Sequence, residues 1–158
     1  MPPSGVPVKE AILDDLQNTA LPLIVAGADY YTTVERIQRI EAAPMQVTMF
    51  PAIVIIPLST DYDQEGTQGT RTIAAEYRVQ LSLFLRTRTD AVSKIERFIR
   101  DVHKAVLVDR YRNGNALNTR CVSDEVFYPT DDDEAYTTAN VVLEIDYRTQ
   151  FTDLNQPT

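Results

Sequence analysis

The chain has 158 residues, a formal net charge of −8 and 44% apolar residues. That is enough for one ordinary domain with a real core and too apolar for a disordered chain. It is too acidic to grip nucleic acid through its overall charge, because phosphate binding needs clustered positive charge. No apolar run reaches the length of a membrane span; Ala52 to Pro57 is far too short. The opening Met-Pro-Pro-Ser-Gly lacks the basic and apolar parts of a signal peptide. Cys121 is the single cysteine, so no intrachain disulfide can form, and a reducing cytoplasm is the expected place of synthesis.

Residues 1–7 carry three prolines and a glycine and read as an arm outside the fold. From Val8 to about Ala20, Val8, Ile12, Leu16 and Ala20 share one stripe that Leu13 broadens, which predicts a helix. Pro22 should end it, and Gly27 breaks the chain. Tyr30 to Glu41 is ambiguous. Val34, Ile37 and Ile40 recur every three residues and Thr32 with Glu35 could form a capping box, yet the β-branched content also fits a strand. Periodicity leans to the helix. Phe50 to Pro57 is short, apolar and bracketed by prolines, as suits a covered strand. Ser59 to Thr70 holds Gly66 and Gly69 and almost no apolar residue, so it reads as a long loop.

Glu76 to Arg86 is the clearest strand. Tyr77, Val79, Leu81, Leu83 and Leu85 alternate with polar residues, Phe84 excepted. After Thr87-Arg88-Thr89 comes the clearest helix, with Val92, Ile95, Ile99, Val102 and Val106 as its stripe and Asp90 or Thr89 as its N-cap. Asp109 to Thr119 is a polar connection turning at Asn113-Gly114. Arg120 to Tyr128 alternates weakly through Val122, Val126 and Tyr128. Asp131-Asp132-Asp133-Glu134 is an acidic loop, and Val141 to Arg148 is a last half-buried strand. Residues 152–158 are a polar tail. No repeat or inner boundary divides the chain, so 1–158 is read as one domain with its core at about 8–150. The expected fold is α+β: a four- to five-stranded, mostly antiparallel or mixed sheet with two helices packed on one face.

Chemistry is sparse. The chain has no phosphate loop, dinucleotide fingerprint, H-E-x-x-H or C-x-x-C. One histidine and one cysteine all but exclude a multi-ligand zinc site. His103 reads as a boundary histidine beside a helical stripe, and Cys121 as a small buried hydrophobe. The Asp131–Glu134 run is a solvated turn on the simplest view, a contact for a basic partner on the next, and a metal site on the third, although EF-hand spacing is missing. Arg97, Arg100 and Lys104 form a basic stripe. It is either a solvent face with Glu96–Arg100 as an i,i+4 pair or a subunit interface. No catalytic residue, metal site or cofactor is expected.

Taken together, the first helix, the Phe50-Pro51-Ala52-Ile53-Val54-Ile55 strand, the glycine-bearing loop, the long alternating strand and its amphipathic helix, and an aspartate run before a strand closing on Ile145-Asp146-Tyr147-Arg148 resemble the tail terminator proteins of tailed bacteriophages, the group typified by lambda minor tail protein U. The resemblance covers about residues 8 to 150. It implies a structural virion subunit that closes a hexameric ring, caps the tail tube, stops its polymerisation and meets neck proteins, with DNA passing through the hole. In a contractile tail the ring would also touch sheath protein. It implies that Thr33 to Ile40 is a strand. It places Asp61, Asp63, Glu65, Gly66 and Gly69 in a segment facing the tube. A ring needs a heterologous interface, for which Arg97, Arg100 and Lys104 facing Asp131, Asp132, Asp133 and Glu134 of a neighbour are the expectation. The rival readings are a neck or head–tail connector and, from another class, a small metal-dependent hydrolase using the acidic loop.

Overall fold

The computed structural model describes residues 7–40, 47–63, 72–129 and 136–150. Their order is α1 (Val8–Asp15), a single π-helical turn (Leu16–Ala20), a 3-10 turn (Leu21–Leu23), β1 (Arg36–Arg39), β2 (Ala52–Asp63), β3 (Thr72–Arg86), α2 (Ala91–Val108), β4 (Asn118–Phe127) and β5 (Tyr136–Gln150). The five strands make one mixed sheet in the order β1-β2-β3-β5-β4. β1 runs parallel to β2 and every other pair is antiparallel. The α+β class expected from the sequence is the one observed.

Alternation in β3 decides the layers. Tyr77, Val79, Leu81, Leu83 and Leu85 are all buried, as are Ala139, Val141, Leu143, Ile145 and Tyr147 on the same face of β5 and the β2 residues Ile53 and Ile55. These side chains form one cluster with Val8, Ile12, Leu13 and Leu16 of the first helix and Ile95, Phe98, Ile99, Val102, Ala105 and Val106 of α2. Each fully buried aliphatic or aromatic side chain contributes roughly 2 kcal/mol before conformational entropy is charged. β3 lies at the centre because it pairs along its length with both β2 and β5.

Several boundaries differ from expectation. The first helix is α-helical only to Asp15 and finishes through the π and 3-10 turns, with Pro22 inside the latter. Residues 36–39 form a strand, so the helix favoured by spacing and its Thr32–Glu35 capping box are not there. Pairing with Ala52–Ile55 outweighs a three-residue periodicity that only three side chains carry. Ser59 to Asp63, expected in a loop, continue β2 after a register shift between Pro57 and Ser59, and β3 starts at Thr72 rather than Glu76. The shift leaves Leu58 without a register partner directly after Pro57, which has no N–H to give the ladder. Val92 is 61% exposed and leaves the α2 stripe, which gains Phe98 and Ala105. Asp90 stands at the N-cap position in a left-handed conformation (φ 52°, ψ 37°) and makes no side-chain capping bond. Its carbonyl instead accepts from Lys94 N–H at 3.0 Å. β4 runs from Asn118 to Phe127, and a second register shift, between Cys121 and Ser123, leaves Val122 exposed. The acidic run 131–134 and residues 65, 66 and 69 lie outside the described residues.

Candidate functional site

The basic stripe on α2 is built against its own chain. Asp101, one residue past Arg100, is 1% exposed, and its carboxylate accepts from Tyr31 N–H (3.0 and 3.2 Å) and Thr32 N–H (2.8 Å). That pins the segment before β1 onto the helix. Arg97 and Arg100 then sit 5.3 and 5.4 Å from the Tyr31 ring centroid, and Arg100 donates to the Tyr31 hydroxyl at 2.8 Å. Lys104 lies 5.3 Å from the Tyr30 ring and donates to the Asp29 carbonyl at 3.0 Å. A hollow of about 150 Å³ opens here between residues 27–31 and the Arg100 and Lys104 side chains. Arg100 therefore turns towards Tyr31, and among the described residues it makes no ion pair with Glu96. The three cations keep the exposed positions that the sequence assigned to them.

At the C-terminal end of α2 the chain turns through three left-handed residues, Arg112, Asn113 and Gly114 (φ 47°, 56° and 83°). The Asp109 carboxylate organises the turn by accepting from Tyr111 N–H at 2.9 Å and Asn113 N–H at 2.8 Å, which hold its pKa below the ordinary aspartate value. The turn sends Arg112 back beneath the helix, where it is wholly buried. Its guanidinium donates to the Val106 and Asp109 carbonyls and so satisfies acceptors at the end of the helix. The same guanidinium lies 3.1 Å from the buried Asp15 carboxylate of α1, an ion pair not aligned as a hydrogen bond. Burial pushes the Asp15 pKa up and Arg112 opposes that rise; burial likewise lowers the pKa of Arg112.

The face of the sheet away from the helices carries a ladder of charge. Arg120 pairs with Glu144, with Glu76 (3.6 Å) and with Asp146 (3.5 Å), and Arg78 lies between Glu144 (3.4 Å) and Glu76 (3.8 Å). Three carboxylates share two guanidinium groups. Burial, then hydrogen bonding to Glu144 and the charges of Glu144 and Asp146, raise the Glu76 pKa. Beyond this ladder the β2–β3 hairpin continues. Asp61 stands opposite Glu76, and Asp63 opposite Ala74. Together with Asp146, Arg148 and Tyr62 they line an open hollow of about 470 Å³. Of the residues expected to face the tube, Asp61 and Asp63 are thus fixed in strand pairing at this acidic end. Lys9 of α1 braces the hairpin by donating to Thr60 at 3.1 Å and lying 5.3 Å from the Tyr77 ring.

Cys121 is half-buried and free, its thiol pushed up to about 11 by burial. His103 is half-buried with Nε2 lacking a hydrogen-bond partner among the described residues. No group of three or more His, Cys, Asp or Glu able to hold a metal ion occurs among the described residues, and no described helix is long and apolar enough to cross a membrane. The buried acids Asp15 and Asp101 are structural groups that no sequence motif marks. Asp101 had a signal, since it sits three residues after Phe98 and four before Ala105, in the spacing of the apolar stripe itself. Arg112 had none. The sequence matches no family model, and no curated protein matches it.

Proposed function

We propose that this protein is a structural, non-enzymatic virion subunit, a tail terminator that closes a hexameric ring on the tail tube of a bacteriophage. The observation that carries the reading is the strand at Arg36–Arg39. Local periodicity pointed to a helix there and the tail-terminator resemblance required a strand. The rest of the element order, a first helix, a long hairpin, an amphipathic helix and a second hairpin, agrees with the resemblance as well. The acidic composition supports it, because a ring crossed by DNA must not hold the phosphates. The end of the β2–β3 pairing marked by Asp61 and Asp63, together with Glu65, Gly66 and Gly69 that follow in sequence, is the proposed contact with tube protein. The neck proteins meet the opposite side of the ring, and sheath protein also touches it if the tail contracts.

The deciding experiment is negative-stain microscopy of the protein mixed with purified tail tubes. Capping of one tube end, with further tube growth stopped, is the expected result. Tubes that stay bare and continue to lengthen would overturn the reading. Deleting residues 64–71 should abolish capping while leaving the circular dichroism spectrum of the folded domain unchanged; a deletion variant that caps normally would remove the hairpin end from the contact.

A further inference from the structure

The sheet has two free edges and they differ. Among the described residues no strand pairs with the outer side of β1 or of β4. Exposed large apolar side chains stand at both: Val122 and Phe127 on β4 with Tyr128 just after it, and Ile40 directly after β1. Unsatisfied backbone edges flanked by apolar side chains invite another strand, and soluble proteins shield them unless they are used. Both edges also carry an exposed charge without an ion-pair partner among the described residues, Arg36 on β1 and Glu125 on β4. Register puts the two on the same face. Arg36 pairs with Ala52 and Glu125 with Asn140, which belong to the set facing away from the helices. When β1 of one copy pairs antiparallel with β4 of the next, the two sheets keep the same face, and the register that sets Arg36 opposite Glu125 brings these opposite charges together. By contrast, Arg97, Arg100 and Lys104 are already engaged by residues 29–31.

We propose that copies of this chain associate head to tail through their sheet edges, β4 of one against β1 of the next, with Glu125 beside Arg36 of the neighbouring copy. This rests on the ring reading and specifies its interface. Two different surfaces meeting by rotation give a closed ring, or an open filament if the rotation does not close. Pairing of β4 with β4 would instead stop at a two-fold dimer.

The test uses the full chain with Cys121→Ser, carrying Ile40→Cys, Ser123→Cys or both, treated at high protein concentration with a short bifunctional maleimide. Only the double variant should give a ladder of covalent multimers. Glu125→Lys alone should suppress the ladder at low salt, and Glu125→Lys with Arg36→Glu should restore it. Dimers from Ser123→Cys alone, no ladder from a double variant with native circular dichroism, or a ladder indifferent to the charge swaps would each overturn the proposal. A head-to-tail ladder from a protein that fails to cap tubes would leave the edge contact standing and remove the tail-terminator reading, so the two failures are separable.

Discussion

Replacing Arg112 by methionine keeps most of the buried volume and deletes the charge. Three groups then lose their partner: the Asp15 carboxylate 3.1 Å away and the Val106 and Asp109 carbonyls at the end of α2. The gross Coulomb attraction at that distance is roughly 5 kcal/mol at an effective dielectric of about 20. Most of it is offset by the desolvation of both ions in the native protein. What the substitution exposes is the cost of a buried, unpaired carboxylate, about 3–5 kcal/mol. Against a total stability of about 5–15 kcal/mol, that is a large fraction. In urea, with a slope of roughly 2 kcal/mol per molar, the midpoint should fall by about 1.5–2.5 M with the slope unchanged. The pH dependence has a definite sign. The folded-state pKa of Asp15 is already raised, so its contribution is fully present below the ordinary aspartate value of 3.8 and is lost as pH rises through the folded value. Removing Arg112 raises that folded value further, so the variant should lose more stability at pH 7 than near pH 4. A midpoint shift under about 0.5 M, or a loss equal at both pH values, would refute this account of the buried pair.

Asp101→Ala should cost about 2–3 kcal/mol in thermal or urea unfolding, since it orphans two backbone N–H groups, and the Tyr31 and Thr32 amides should lose hydrogen-exchange protection first; unchanged protection there would count against the carboxylate clamp. Leu81→Ala at the centre of the sheet should cost about 2–5 kcal/mol, whereas Val92→Ala on the exposed side of α2 should stay within about 0.5 kcal/mol, and equal costs would contradict the assigned stripe. Asp109 has a lowered pKa, so its contribution is present above 3.8 and lost as pH falls through the folded value; Asp109→Asn should flatten that acid limb of the stability curve. With its thiol near 11, Cys121 should react with a maleimide or disulfide probe at pH 7 about 10²-fold more slowly in the native protein than in urea; matching rates would mean the thiol is not held in the low-dielectric setting described.

Strands and helices with a strict period were legible because their pattern is their burial. Tyr77 to Leu85 and Val141 to Tyr147 face the helices as their alternation required. β1 was not legible from period alone, because a four-residue strand repeats too few times to distinguish spacing of two from three, and its partner lies 16 residues further along. The extension of β2 through Asp63 was hidden by its own polar residues, Ser59, Thr60, Asp61 and Asp63, although β3 and β5 keep buried apolar residues opposite it. The N-cap at Asp90 failed for a backbone reason, since a left-handed residue turns its side chain away from the first-turn amides. Of the candidate interface, the exposure of Arg97, Arg100 and Lys104 followed from helical spacing, but their engagement by Asp29, Tyr30 and Tyr31 depends on a chain reversal some 70 residues away. Arg112 was invisible for the same reason, as its burial is dictated by three successive left-handed residues and a carboxylate on another helix.

The sheet order has a consequence for synthesis. β5, the last of the described strands in chain order, occupies an interior slot between β3 and β4 rather than an edge. Until Tyr136–Gln150 has emerged, the long oily strand at the molecule's centre has one side bare, and β4 has no strand partner among the described residues. A nascent chain halted before that point holds an apolar template ready to capture its siblings. Those fifteen residues close both gaps at once, so a chain truncated before Tyr136 is expected to aggregate where the full chain folds.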